Sequence, residues 1–254
     1  MQRHSLTWVR STQTVGFVPT MGALHEGHLT LLQRARKECA IVVASIYVNP
    51  RQFGPKEDFA QYPRPRREDL AMCRKAGVDV VFAPHNLYLP DHSTYVEETV
   101  QSQGREGAAR PGHFQGVATV VLKLFNLVRP TQAYFGQKDA QQVDVIRRMV
   151  RDLDVPVKII AAPTIRSADG LALSSRNRYL SAEERVVGVF FAQALQQAVR
   201  QKSNPAGWLR TRLKQNSGLQ VDHVTLAGDR LCAAVFVGKT RLIDNEQLRP
   251  PRAN

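Results

Sequence analysis

Pro19-Thr20-Met21-Gly22-Ala23-Leu24-His25-Glu26-Gly27-His28 follows the short apolar run 15–18 directly and leads into a segment of helical spacing. A β-rich run that turns at once into a helix is the opening unit of a parallel α/β sheet. Gly22 and Gly27 let backbone approach a ligand closely. A helix start brings N–H groups and a partial positive charge, so it predicts an anion site. His25 and His28 stand three apart, and one helical turn would place both on one face. Two imidazoles there can hydrogen-bond phosphate oxygens as charge develops in phosphoryl or nucleotidyl transfer. A lone histidine is more often structural, but two framing a glycine at a strand-to-helix turn favour a ligand.

The same alternation continues outward from this segment. Runs 15–18, 40–48, 78–83, 133–135 and 155–160 read as strands. Between them lie helical stripes: Leu29, Leu32, Ala35 and Cys39; Leu70, Cys73 and Ala76; and Val143, Ile146, Met149 and Val150. Residues 117–128 are apolar nearly all round, which predicts a buried helix. The fold class is α/β, a Rossmann-like doubly wound parallel sheet, and ligands of such sheets sit beyond the carboxyl ends of the strands. After residue 162 the pattern changes. A polar loop runs through 166–178, and Ser181 with Glu184 forms a capping box opening a helix to about Arg200. Asn204-Pro205 breaks that helix; a short helix near 208–213 and β-rich pieces at 219–226 and 231–237 follow. The expected division is 1–162 for the large domain and 163–254 for a smaller α+β C-terminal domain, with 250–254 a disordered tail.

The 254 residues, 43% hydrophobic and 22% charged, are ordinary for a globular chain. No apolar run reaches the roughly 18 residues a membrane helix needs, and residues 1–15 lack the core of a secretory signal. The expectation is a cytoplasmic protein with no membrane partner. Cys39, Cys73 and Cys232 form no CxxC pair and read as packing residues. Trp8 and Trp208 also read as packing residues, and Arg64, Arg66 and Arg67 as a solvated basic run. The formal charge of +13 suits either a polyanion-binding surface or a generally basic proteome, and decides nothing by itself.

Three further polar segments fall where ligands belong. Asn49 and Gln52 follow the second strand; their amides suit the hydroxyls and carboxylate of a small polar acid, or else Asn49-Pro50 builds a turn. Gly136-Gln137-Lys138-Asp139 follows another strand, with Lys138 suited to phosphate charge and Asp139 to a ribose hydroxyl. Asp139 with Gln142 also reads as a helix cap. Ser174, Ser175 and Arg176 offer two hydroxyls and a guanidinium to a triphosphate, or form a solvated linker.

The HxGH arrangement of His25 to His28 resembles the nucleotidyltransferase superfamily, which includes class I aminoacyl-tRNA synthetases. The ordered set Val18-Pro-Thr-Met-Gly-Ala-Leu-His-Glu-Gly-His28, Val48-Asn-Pro-Arg-Gln-Phe53, Arg110-Pro-Gly-His-Phe114, Phe135-Gly-Gln-Lys-Asp139 and Leu171-Ala-Leu-Ser-Ser-Arg-Asn177 is more specific. It is similar to the pantothenate synthetase (pantoate–β-alanine ligase) family over about 15–180, resuming at Arg241-Leu-Ile-Asp-Asn245.

That resemblance implies ATP-dependent condensation of pantoate with β-alanine through pantoyl adenylate. It assigns ATP to Met21, Gly22, Ala23, Leu24, His25, Glu26, Gly27 and His28, to Gly136, Gln137, Lys138 and Asp139, and to Ile165, Leu173, Ser174, Ser175 and Arg176. His25, His28 and Lys138 would be catalytic, and Gln52 would meet pantoate and β-alanine. Gln142 would meet pantoate, with Asn49 beside the acid. Mg²⁺ would arrive with ATP rather than in a protein cage, since no carboxylate cluster marks one. The segment 174–176 corresponds to a mobile loop, the C-terminal domain to a lid, and the assembly to a homodimer without nucleic acid. The loop holding Arg110 lies over the site in the family, and Arg110 receives no certain role.

The chain departs from the family pattern in having Gln137 in place of a usual Glu, a short segment before the first motif without a leading amphipathic helix, and a stretch between 219 and 241 about a dozen residues shorter. Two other functions fit parts of the sequence. One is a basic RNA-binding module on a synthetase-like core; the other is a nucleotidyltransferase acting on a phosphorylated acceptor.

Overall fold

The computed structural model describes residues 13–55 and 57–248. The chain divides into two compact units, Met1–Pro163 and Thr164–Asn254. The first unit carries β1 (Val15–Thr20), α1 (Glu26–Glu38), β2 (Ile41–Ile46), α2 (Arg66–Lys75), β3 (Val80–Phe82), α3 (Arg105–Ala109), α4 (His113–Val128), β4 (Gln132–Gly136), α5 (Ala140–Asp152) and β5 (Lys158–Ala162). The strands pair in the order β3-β2-β1-β4-β5, every neighbour parallel. The doubly wound parallel sheet expected from the alternation is the observed one.

Alternation along each strand feeds two cores. Phe17, Val43, Ala133 and Phe135 pack with Val117, Val121 and Phe125 of α4 and Val143 and Ile146 of α5. Val18, Val42, Ala44 and Tyr134 pack on the other face with Leu29, Leu32 and Ala35 of α1 and Cys73 of α2. The crossover after β1 therefore lies on one face and the crossover after β4 on the other, although β1 and β4 are neighbours. Their carboxyl ends form the switch point where such sheets open a crevice. The helix expected at 117–128 is α4, buried nearly all round and one turn longer at its start.

Several boundaries move for local reasons. The run expected as a strand to residue 48 stops at Ile46, because Asn49 accepts from Arg51 N and caps a 3-10 turn, Pro50–Gln52. The strand expected from 155 begins at Lys158, since the Val155 N–H closes a turn on the Val150 carbonyl and Pro156 has no N–H to give. α3 was not foreseen; its five residues lack a core stripe. Arg64, Arg66 and Arg67 are all exposed, and the Arg64 guanidinium also donates to the carbonyls of Tyr62 (2.8 Å) and Phe59 (2.9 Å). All three cysteines are free and buried.

The second unit holds a 3-10 turn (Ser175–Tyr179), α6 (Ala182–Ala198), α7 (Pro205–Lys214) and an antiparallel sheet of β6 (Leu219–Ala227), β7 (Arg230–Val237) and β8 (Thr240–Gln247). Ser181 and Glu184 make the expected capping box, and Asn204 caps α7 by accepting from Gly207 N at 2.9 Å. β8 went unread as a strand. The trimmed stretch costs the sheet nothing: β6 and β7 join through Gly228-Asp229 alone, Ala227 pairing with Arg230. Phe191, Leu195, Leu209, Leu213, Leu231 and Val235 form its core, with Trp208 packed against them.

No helix among the described residues is long and apolar enough to cross a membrane. Trp8, the leading segment and the tail at 250–254 lie outside the described residues. Phe17 is fully buried and meets Phe125 edge-on at 6.3 Å between ring centroids. Phe17→Ala is expected to cost about 3–5 kcal/mol in urea unfolding, from lost transfer energy and the cavity left behind.

Candidate active site

Thr20 closes β1 by donating from its hydroxyl to the Ser45 carbonyl (2.7 Å) while accepting from Gly22 N (3.1 Å). The chain then turns through Gly22 at φ +81 and Ala23 at φ +51. A Cβ on Gly22 would stand 2.8 Å from the Asp69 carboxylate, so only glycine fits. Ala23 tolerates its left-handed backbone, a cost of about 1–2 kcal/mol, because Asp69 holds it. The two Asp69 oxygens accept from Ala23 N (2.9 Å) and Leu24 N (2.7 Å), and the carboxylate is 2% exposed. Asp69 belongs to α2, more than forty residues downstream, and sequence reading missed it.

His25 is the N-cap of α1 rather than part of its first turn, with extended φ −142 and ψ 177. Its Nδ1 accepts from Gly27 N and its carbonyl from His28 N, while His28 Nδ1 accepts back from His25 N at 3.2 Å. The two imidazoles thus replace the hydroxyl and carboxylate of a capping box. Their ring centroids lie 4.1 Å apart. The expectation of a bare helix start as the anion site is corrected here. Asp69 takes the N–H groups of Ala23 and Leu24, and His25 takes that of Gly27.

The caps decide the tautomers. A backbone N–H must be the donor in each bond, so Nδ1 carries a lone pair and the ring proton sits on Nε2. Burial, with His25 and Lys138 nearby, pushes the His28 pKa down to about 3. His28 is therefore a neutral hydrogen-bond donor across the physiological range.

The loop after β4 is a 3-10 turn, Gln137–Asp139, with Lys138 3.7 Å from Asp139. Gly136, Gln137, Lys138 and Asp139 are all partly covered. Asp139 occupies the N-cap position of α5 but makes no side-chain cap bond, which corrects the expected Asp139–Gln142 cap. Gln142 lies half-buried in the first turn of α5. Its buried neighbour Gln141, missed in the sequence, donates to the carbonyls of Gln101 (2.9 Å) and Gln103 (3.1 Å) and accepts from Glu106 N, tying down the loop into α3.

Asn49 and Gln52 share one buried turn. The Asn49 Nδ2 donates to Gln52 Oε1 (3.1 Å) and the Gly116 carbonyl (3.0 Å); its Oδ1 accepts from Tyr88 OH (2.9 Å) and Arg51 N (3.3 Å). Both protons and both lone pairs are engaged and the residue is 1% exposed. The expected contact of Asn49 with an acid substrate is corrected: Asn49 orients Gln52. The Gln52 Nε2 then points to the Met21 Sδ at 3.1 Å, linking this turn to the segment after β1. α4 packs on the turn through Gly116, where a Cβ would meet the Arg51 carbonyl oxygen at 2.2 Å.

In the second unit Ile165 and Leu173 pair across a narrow hairpin, Leu173 N donating to the Ile165 carbonyl at 2.9 Å. Arg166 anchors it by a two-pronged bond to Asp244 and a third to Glu246. Ser174 caps the following 3-10 turn by accepting from Arg176 N, and Ser175 is buried. The stretch is folded and hydrogen-bonded, so the linker reading falls. Among the described residues no group of three or more His, Cys, Asp or Glu converges as a metal cage.

A family model described as pantoate-beta-alanine ligase matches residues 1–247. The chain belongs to the pantoate–β-alanine ligase family. It is 49% identical to pantothenate synthetase of Chloroflexus aurantiacus over 91% of this chain and 90% of that protein. It is 50% identical to that of Herpetosiphon aurantiacus over 93% and 94%. The crystal structure of pantothenate synthetase from Thermus thermophilus superposes with a TM-score of 0.89 at 45% identity, covering 93% of this chain and 94% of that one. The enzyme from Francisella tularensis, complexed with beta-gamma ATP and beta-alanine, superposes with a TM-score of 0.86 at 35% identity over 97% and 94%.

Two outcomes follow from the geometry. Asp69→Asn replaces one acceptor by a donor facing a backbone N–H, and is expected to cost about 1.5–3 kcal/mol, read by urea unfolding together with faster amide exchange at Ala23 and Leu24. Burial and the Arg110 guanidinium hold the His113 pKa down at about 4, alongside His28 at about 3. Unfolding returns both to about 6.5, so their contribution is full above that pH and is lost as pH falls toward 4 and then 3. Melting temperature is expected to drop already between pH 6.5 and 5, where Glu38 and Asp169, with pKa values below the usual range, stay ionised in both states. His28→Asn should flatten that part of the curve.

Proposed function

We propose that this chain joins pantoate to β-alanine at the expense of ATP, as its family does. The pantoate carboxylate oxygen attacks the α-phosphorus, the bond to the bridging oxygen breaks, and pyrophosphate leaves. The β-alanine amine then attacks the acyl carbon of pantoyl adenylate, AMP departs, and the amine proton passes to solvent. The observation that carries this reading is the pair of cap-locked imidazoles, His25 and His28, at the switch point of the sheet in a chain about half identical to pantothenate synthetases.

Neutral Nε2–H donors suit charge that develops on phosphate oxygens, because they are in place beforehand and need no reorganisation. Lys138 supplies the cationic charge beside them. Gln52 offers its amide N–H to the pantoate carboxylate and hydroxyls and then to β-alanine, its carbonyl oxygen already held by Asn49. Gln142 joins Gln52 on pantoate. Met21, Gly22, Ala23, Leu24, Glu26 and Gly27 form the wall of the nucleotide, with Gly136, Gln137 and Asp139 across from them. The family likeness makes Ile165, Leu173, Ser174, Ser175 and Arg176 of the second unit further ATP contacts. Mg²⁺ enters on the triphosphate, its remaining ligands being water. The family likeness also supports a homodimer.

Pyrophosphate release with Mg·ATP is expected only when pantoate is present, and AMP release only when β-alanine is added. Turnover indifferent to both acids would refute the assignment. His25→Ala, His28→Ala and Lys138→Ala are each expected to slow pantoate-dependent pyrophosphate release at least tenfold, about 1.4 kcal/mol of barrier. The rate governed by His28 should show no inflection near pH 6.5.

A further inference from the structure

A second polar assembly stands behind the Gln52 turn. Glu57 grips Arg110 through two bonds, to Nε (2.8 Å) and to the second terminal nitrogen (2.6 Å). Arg110 lies 3.0 Å from His113 Nε2 through its other terminal nitrogen, and donates to the Gln52 carbonyl at 3.3 Å. His113 Nδ1 lies 2.8 Å from the same carbonyl. A guanidinium nitrogen can only donate, so His113 Nε2 is the acceptor and Nδ1 carries the proton. Donation spreads from the guanidinium, to the Glu57 carboxylate on one side and to the imidazole on the other, and the imidazole donates in turn to the Gln52 carbonyl.

We propose that Glu57, Arg110 and His113 form a positioning clamp that sets the height and angle of the Gln52 amide toward the carboxylic-acid substrate. The inference rests on the reading of Gln52 as a pantoate ligand. Its geometry explains why two donors converge on one carbonyl of a three-residue turn. Asn49 orients the Gln52 side chain from one side, while the clamp fixes its backbone from the other. The clamp residues come from different places, His113 from the start of α4, Arg110 from the end of α3 and Glu57 from the loop after the turn. His113 is 8% exposed, and Glu57 and Arg110 side chains are 24% and 15% exposed. An ion pair so placed is less screened than a surface one, and it delivers Arg110 at a fixed distance. Glu106 is the other charged group whose field reaches the imidazole. None of the three clamp side chains needs to touch substrate.

The test compares steady-state KM values in pyrophosphate release for His113→Phe, His113→Asn and Glu57→Gln with the wild-type enzyme. His113→Phe keeps the ring volume and removes the donor; it is expected to raise the KM for pantoate at least tenfold and leave the KM for ATP within twofold. His113→Asn retains an N–H and should recover most of that loss. Glu57→Gln, which keeps shape and removes only charge, should move the pantoate KM in the same direction by about threefold. A purely structural role would lower melting temperature and shift both KM values together; that result, or an unchanged pantoate KM in both His113→Phe and Glu57→Gln, overturns the clamp while wild-type turnover upholds the ligase reading. Wild-type protein that releases no pyrophosphate with pantoate overturns the ligase reading, and the clamp with it.

Discussion

The bonds from the Asp69 carboxylate to the N–H groups of Ala23 and Leu24 are the constraint on which the site depends. A buried carboxylate without partners would cost several kcal/mol, but two charge-assisted bonds from backbone offset that cost. They hold the chain in a left-handed turn at Gly22 and Ala23, and that turn aims His25 at the start of α1. A side chain on Gly22 would strike Asp69, and a shift of α2 would release the turn. The packing of one face of the sheet therefore sets the chemistry at its edge.

The same turn changes what the start of α1 can offer to an anion. In many strand-to-helix junctions the free N–H groups of the helix start hold phosphate. Here Gly27 N is already bound to His25 and two more N–H groups to Asp69. What α1 presents instead is a pair of imidazoles in one tautomer, with His28 stripped of charge by burial and by the nearness of His25. Donors of that kind act by position.

A parallel arrangement governs the Gln52 turn. Asn49, Tyr88 and Gly116 fix the Gln52 amide, and Gly116 lets α4 lie directly on the turn. The buried helix thus serves the site as well as the core. Its apolar residues cover the sheet, and its polar first turn reaches the Gln52 carbonyl through His113.

The strands and the longer helices of the large unit, α3 apart, and the family were legible in the sequence. They rest on local signals: alternation of period two, stripes of period 3.6, and glycines and histidines at a strand-to-helix turn. His28, Lys138 and Gln52 could be named as candidates because each adjoins the carboxyl end of a strand. Asp69, Gln141 and the clamp of Glu57, Arg110 and His113 could not, since their partners lie tens of residues away and only folding brings them together. Asn49 was misread for the same reason: an amide beside a strand end looks like a ligand until Tyr88 and Gly116 use up its bonds. Sequence by itself determined which polar residues adjoin the carboxyl ends of the strands. Tertiary structure decided which of them are left to face a ligand, because a polar atom already bonded within the fold has little left to offer a substrate.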